Sequence, residues 1–298
     1  MGAFYDGLRC SVRGISHEEK KRPCQDDSRF ALHGDYAVVA AADGHGGDRY
    51  VRSDVGARVA VQEAVKTMMG FLDEFRDELR HSPEKHLAHL ESRVIMAWRG
   101  AIQEHFNKNP LTEDEKARLA ASGVVDDFSP KLYGSTLLYG ALLPDCAFVS
   151  QLGDGCCVIL DAGATPIFPV PEDERLGFNY TTSLCGSNAA ADFRRCFVHA
   201  PSWQAIFLCT DGVADSYTPE SLGKFVATLV RGHNASPEAV ERQLREWLPE
   251  LSDRGSRDDM TVACIYRKEE KVEAKQEEEQ KKEAAEPGTT VADRQETK

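Results

Sequence analysis

Three apolar runs in this chain end in Asp-Gly: "VVAAADG" at Asp43, "FVSQLGDG" at Asp154 and "IFLCTDG" at Asp211. The runs are short and aliphatic, the pattern of strands buried on both faces. Such strands deliver their last residues to the edge of a sheet, here with a carboxylate attached. Taken singly, each is ordinary turn chemistry, because Gly accepts positive φ and Asp bonds its own backbone. Taken together they oblige the fold to gather acids. Asp258, in "SRDDMTVACIY", precedes another strand. If that strand runs antiparallel to "QAIFLC", it starts at the edge where Asp211 sits. Asp26 and Asp27, in "CQDDSRFAL", likewise precede a strand that can lead toward Asp43.

Carboxylates crowded at one edge repel one another unless cations lie between them. An all-Asp, all-oxygen set suits the hard divalent ions Mg²⁺ and Mn²⁺. Zinc is disfavoured, since no Cys/His spacing of the expected kind appears, and there is no EF-hand loop. An Asp bridging two such ions, with a water made nucleophilic between them, is machinery for hydrolysing phosphate esters. Gly44 would let its carbonyl approach a metal unobstructed, and His45 would donate a proton to the leaving oxygen. His86 and His89, at helical spacing among charges, read as a solvated face.

A net charge of −13 over 298 residues argues against nucleic acid or an anionic membrane as the main partner. No apolar run approaches the roughly 20 residues that span a bilayer. The opening "MGAFYDG" lacks the Ser or Thr of a myristoylation pattern, so neither a leader nor a lipid anchor is expected. The nine cysteines are scattered without a C-x-x-C pair and read as reduced thiols of a cytoplasmic protein. From 268 the chain turns to Glu, Lys and Gln without aromatics, a solvated tail. One domain over 1–267 is expected ahead of it. Periodicity predicts helices near 48–69, 82–106, 219–231 and 236–248. Between them lie strands, joined by hairpins at Pro144-Asp145 and at "QLGDGCC". Residues 162–195 read as an excursion over the surface near a site. The architecture favoured is α+β: antiparallel sheets packed together with long helices outside.

As an ordered set, "CQDDS", "ADGHGG", "YGSTLL", "LGDG", "CTDGVADS" and "SRDDMTV" resemble the motifs of the type 2C metal-dependent protein phosphatases, over about 10–267. "YVRSDVGARVAV" and "TTSLCGSNAAADFRR" look most like a bacterial-type branch. The resemblance implies a four-layer α-β-β-α sandwich with a binuclear Mn²⁺/Mg²⁺ site. It implies hydrolysis of phosphoserine and phosphothreonine on proteins by metal-bound water. By position, Asp43 would bridge both metals, Gly44 would contribute its carbonyl, and Asp211 and Asp258 would ligate one ion. Asp26 would orient bound water, His45 matches the general acid, and Asp154 matches an acid of a weaker third metal, with Asp215 nearby. Arg22 is favoured as the phosphate-binding cation over Lys21 and Arg13, since only Arg offers a bidentate fork and Arg13 is more distant.

The sequence departs from the family pattern at Gln25, where many members have Glu, and at Gly155, which lacks the usual hydroxyl. Asp259, in place of a frequent Asn, adds a charge beside Asp258. The expected partners are phosphoproteins modified by an opposing Ser/Thr kinase, and nothing demands more than a monomer. Two other readings stand beside the phosphatase: a non-catalytic phosphoprotein-binding relative, and an enzyme of the same chemistry acting on small phosphoesters.

Overall fold

Side-chain alternation along the strands sorts the apolar residues into three separate cores, and three cores require four layers. In strand Tyr36–Asp43, Tyr36, Val38, Ala40 and Ala42 face one core while Ala37, Val39 and Ala41 face another. In strand Met260–Arg267, Met260, Val262, Cys264 and Tyr266 face a third core, and Ala263 and Ile265 share the middle one. Period-two alternation in strands buried on both faces has this result. The computed structural model describes residues 4–125, 127–176, 180–199 and 203–268.

Ten strands are present among these residues: β1 (Tyr5–Val12), β2 (Asp26–His33), β3 (Tyr36–Asp43), β4 (Leu137–Leu142), β5 (Cys146–Leu152), β6 (Cys156–Asp161), β7 (Pro166–Ile167), β8 (Arg194–His199), β9 (Trp203–Cys209) and β10 (Met260–Arg267). They form two antiparallel five-stranded sheets, ordered β1-β10-β9-β6-β7 and β2-β3-β4-β5-β8. The helices are α1 (Ile15–Glu19), α2 (Ser53–His81), α3 (Pro83–Lys108), α4 (Glu113–Ala121), α5 (Ala189–Asp192), α6 (Asp211–Ala214), α7 (Pro219–Ala235) and α8 (Pro237–Arg254). Helices α2 and α3 cover the β2–β8 sheet through Ala57, Val61, Leu90, Val94 and Trp98. Helices α7 and α8 cover the other through Val226, Leu229, Leu244 and Leu248. The expected four-layer α+β sandwich is therefore present.

Two local expectations fail for physical reasons. Helix α2 starts at Ser53, not Asp48, because the preceding loop is tied elsewhere: Arg52 N–H donates to the Leu132 carbonyl at 2.9 Å, and its guanidinium to Glu115 at 2.7 Å. "QLGDGCC" is not a hairpin. β5 and β6 belong to different sheets, so Gly153–Gly155 crosses between layers, with Gly153 at φ 108°, a region open to glycine. Strands β1 and β8 and helix α4 escaped the periodicity reading, β1 because Asp6, Arg9 and Ser11 break its apolar run. Hairpin β4–β5 turns through Pro144-Asp145 as expected, with Leu143 N–H donating to Cys146 at 2.9 Å. His86 and His89 pack edgewise near Phe71 and Phe75, so that face is only partly solvated. All nine cysteines are free, no helix of the described residues is long and apolar enough to cross a membrane, and the expected tail, past Lys268, lies outside the described residues.

Trp98 is fully buried and its indole N–H donates to the Gly56 carbonyl at 3.1 Å, stitching α3 to α2. Trp98→Ala should cost about 3–5 kcal/mol. In urea titrations the midpoint should fall with little change in slope, and Trp98→Phe should lose less.

Candidate metal centre

The register of the two sheets decides which acids meet. β10 runs antiparallel to β9 with Val262 opposite Cys209, so Asp211, just past β9, and Asp258, just before β10, reach the same edge. In the other sheet Asp26 lies directly opposite Asp43. The crossing from β5 to β6 carries Asp154 to that edge as well. There the carboxylate oxygens of Asp43, Asp154 and Asp211 lie within 4.8 Å of one another. These three acids, with Asp192, Asp215 and Asp258, line a cleft of about 930 Å³, and no Lys or Arg is among its described lining residues.

Such crowding is unfavourable for ionised carboxylates. Burial, then the charges of Asp26, Asp211, Asp258 and Asp154, hold the Asp43 carboxyl well above the usual range. Asp211 is pushed up to about 6 by burial and by Asp154 and Asp258, and Asp215 is raised by the same causes. Asp26 sits one layer back from the cleft. Burial and Asp259 raise its carboxyl, opposed by Thr210, whose hydroxyl donates to it at 2.7 Å. The missing counter-charge is what a divalent cation supplies, and the donor set, carboxylate oxygens with nothing cationic among them, fits one.

The loop after β3 is held by backbone contacts. Gly44 N–H donates to the Gln25 carbonyl at 2.9 Å. A Cβ on Gly44 would lie 2.5 Å from the Ser53 carbonyl oxygen and 2.6 Å from that of Gln25. Close packing of the strand end against the start of α2 therefore already requires glycine there. His45 is largely buried, with its ring against Tyr50 and its Nε2 2.8 Å from Ser183 Oγ. Ser183 Oγ also reaches the Ser135 carbonyl, to which it donates at 3.1 Å. Burial lowers the imidazole pKa, and Asp154 partly opposes this.

Arg22 does not line the cleft. Its guanidinium donates to the Gly46 carbonyl at 2.5 Å and to Asp48 at 2.8 Å, on the outer side of the glycine loop. Arg13 is directed at Glu18 and the Arg22 carbonyl, and Lys21 occupies a left-handed turn.

Sequence reasoning missed three participants. Ser183 comes from the expected surface excursion, of which residues 176, 180–183 and 185–188 border the cleft, while Asn179 lies outside the described residues. Asp259 is not a loose extra charge. Its carboxylate is buried and accepts from Gly14 N–H at 2.7 Å, Gln25 N–H at 2.6 Å and His17 Nδ1 at 2.8 Å. His17, on α1, lines the cleft with Nε2 3.9 Å from Asp258. Nothing in the periodicity or spacing of "RGISHEEK" marks it. Gln25 is buried and donates to Ser53 Oγ and the His45 carbonyl, so it braces the loop.

A family model described as protein phosphatase 2C matches residues 13–249. The match takes in Arg22, Asp26, Asp43, Gly44, His45, Asp154 and Asp211 and stops short of Asp258. No curated protein matches the chain in sequence. Among solved structures, the chain is similar to PppA, a key regulatory component of T6SS in Pseudomonas aeruginosa, at 18% identity and TM-score 0.55, covering 89% of this chain and 98% of that one. It is similar to the catalytic domain of the serine/threonine protein phosphatase PstP in complex with two manganese ions, at 19% identity and TM-score 0.51, covering 88% and 97%. The serine/threonine phosphatase Stp1 from Staphylococcus aureus matches at 12% identity and TM-score 0.56, covering 89% and 96%. At these identities the likenesses show the fold.

The charge cluster sets a pH signature for metal-free protein. Unfolded aspartates deprotonate near 3.8 and folded Asp211 near 6, so the folded state binds more protons between those values. Stability from this group is present below about pH 4 and lost as pH rises through 6. In EDTA, Tm should rise from pH 7 toward pH 5. Millimolar Mn²⁺ should raise Tm at pH 7, and Asp43→Asn should raise the EDTA value while abolishing the Mn²⁺ increment.

Proposed function

The chain belongs to the protein phosphatase 2C family, and from that membership we propose that it is a serine/threonine protein phosphatase dependent on Mn²⁺ or Mg²⁺. The observation that carries the reading is the cleft's charge: six aspartates and, among the described lining residues, no cationic side chain except histidine. A phosphate monoester is itself an anion and cannot approach these carboxylates until cations intervene. Asp43, Asp211 and Asp258 would hold two ions, with the Gly44 carbonyl beside them. Asp154, with Asp215 as neighbour, offers a place for a weaker third. Bound there, the ions would neutralise the carboxylates, polarise the phosphoryl oxygens and supply an activated water.

The chain's own residues do the rest. Asp26, buried behind Asp43 and fixed by Thr210, orients a water in the site. His45, in contact with Ser183 through Nε2, would as the imidazolium give its Nε2 proton to a substrate's leaving oxygen and be left as the neutral ring. Arg22 is the proposed phosphate-binding cation, and it reaches substrate by exchanging its Asp48 partner.

The substrates proposed are phosphoserine and phosphothreonine in proteins, placed there by an opposing kinase in a signalling role. The free thiols fit a reducing cytoplasm, and we propose a monomer.

With p-nitrophenyl phosphate and a phosphothreonine peptide, the full chain should turn over both with Mn²⁺ or Mg²⁺ and neither in EDTA. Asp43→Asn should lower kcat/KM by about 100-fold or more. Folded protein that binds phosphopeptide without turnover under any metal would favour the non-catalytic relative. Turnover confined to small esters would favour the third reading.

A further inference from the structure

We infer that His17 supplies a nitrogen ligand to the cation held at Asp258, making this a mixed nitrogen–oxygen centre. The inference rests on the proposed metal reading of the cleft and extends it to a residue outside the aspartate set. His17 is only 7% exposed, yet it borders the cleft. Its Nδ1 lies 2.8 Å from Asp259 Oδ2. That carboxylate also takes the Gly14 and Gln25 N–H groups, so it is a fixed acceptor and the imidazole proton sits on Nδ1. Nε2 is the ring nitrogen left to face Asp258.

Nε2 faces Asp258 Oδ1 across 3.9 Å. That is too long for a hydrogen bond and leaves room for an ion between the nitrogen and the carboxylate. Two ligands each some 2.0–2.2 Å from one ion can lie at most about 4.4 Å apart, so the pair is within reach of a single metal. A buried carboxylate that orients a histidine through one nitrogen while the other is offered to a metal is a recurring arrangement in metal sites.

The backbone serves the same end. A Cβ on Gly14 would come within 2.3 Å of the Asp258 carbonyl oxygen, and one on Gly212 within 2.0 Å of that of Asp259. The Asp258-Asp259 turn is therefore clamped from both sides, with α1 starting against it. Ser16 N–H donates to Arg257 at 2.9 Å, fixing the helix to the same turn. His17 and Asp258 are held in a set relation by main chain, not by flexible side chains. Imidazole favours transition metals over magnesium, so this ligand should bias the site toward Mn²⁺.

The test is electron spin-echo envelope modulation of the full chain loaded with Mn²⁺ alone, alongside calorimetric titration with Mn²⁺ and Mg²⁺. Wild type and His45→Gln should show ¹⁴N coupling to manganese, and His17→Gln should lose it. Mn²⁺ affinity should fall about 10–100-fold in His17→Gln, with a smaller loss for Mg²⁺. Wild type that binds Mn²⁺ without nitrogen coupling, or coupling that persists in His17→Gln, would overturn the inference and leave the carboxylate site standing. Wild type that binds no Mn²⁺ would overturn the metal reading itself, and this inference with it. Should His17→Gln fail to fold, His45→Gln decides: coupling retained there supports His17, and coupling lost there assigns the nitrogen to His45 and overturns the inference.

Discussion

Like charges brought together by strand register are the constraint from which the other features of this molecule follow. Asp26 and Asp43 are paired residues of one sheet. Asp211 and Asp258 are brought together by the antiparallel pairing of β9 and β10 in the other. Asp154 rides the crossing between the two sheets. Asp43 ends a buried strand, Asp154 and Asp211 each follow one, and Asp26 is paired to Asp43, so none of these can shift without disturbing a core strand. The crowding is therefore built into the fold, and burial first, with the neighbouring charges adding to it, holds Asp43 and Asp26 well above the usual carboxylate range. A fold that spends stability this way at one edge, and keeps lysine and arginine off the described lining of the cleft, is shaped for a cation that arrives from solution.

Around that edge the polar groups are arranged as supports. Thr136 accepts the Asp43 N–H through its hydroxyl at 2.9 Å and returns its own N–H to the Asp43 carbonyl at 2.8 Å. Gln151 and Arg194 donate to the carbonyls of the crossing that carries Asp154, Gln151 to Gly155 at 2.6 Å and Arg194 to Gly153 at 2.5 Å. Asp259 gathers three partners from two segments, Gly14 and His17 at α1 and Gln25 before β2. Gln25, which a comparison by charge alone would count as a loss, braces the loop that bears His45. Carboxylates fixed in this way cannot relax apart, which is the preorganisation that metal and phosphate chemistry require.

Much of this was legible in the sequence. Apolar runs ending in Asp-Gly located Asp43, Asp154 and Asp211, and the assumption of antiparallel pairing brought Asp258 to Asp211. Four helices followed from periodicity; α3 matches to within two residues at each end, while α2, α7 and α8 run on past their expected ends. What escaped is instructive. The crossing at Gly153 looks like a hairpin, because local turn chemistry is the same whether the next strand returns to its own sheet or joins another. His17 and Ser183 carry no periodic signal; tertiary contacts alone bring them to the cleft. The glycine at Gly44 was read for access to its carbonyl, whereas neighbouring main chain already forbids a side chain there. Arg22 was favoured for its bidentate fork, which here spans the Gly46 carbonyl and Asp48 on the outer side of the glycine loop.

The most direct test of the central claim is anomalous diffraction from crystals of the full chain grown with Mn²⁺. If the aspartate edge exists to hold cations, two strong manganese peaks should lie in the cleft, one shared by Asp43 with its neighbours. Peaks only at surface acids, or an empty cleft at saturating Mn²⁺, would contradict the account and leave the crowding of these carboxylates to be explained by something other than a metal.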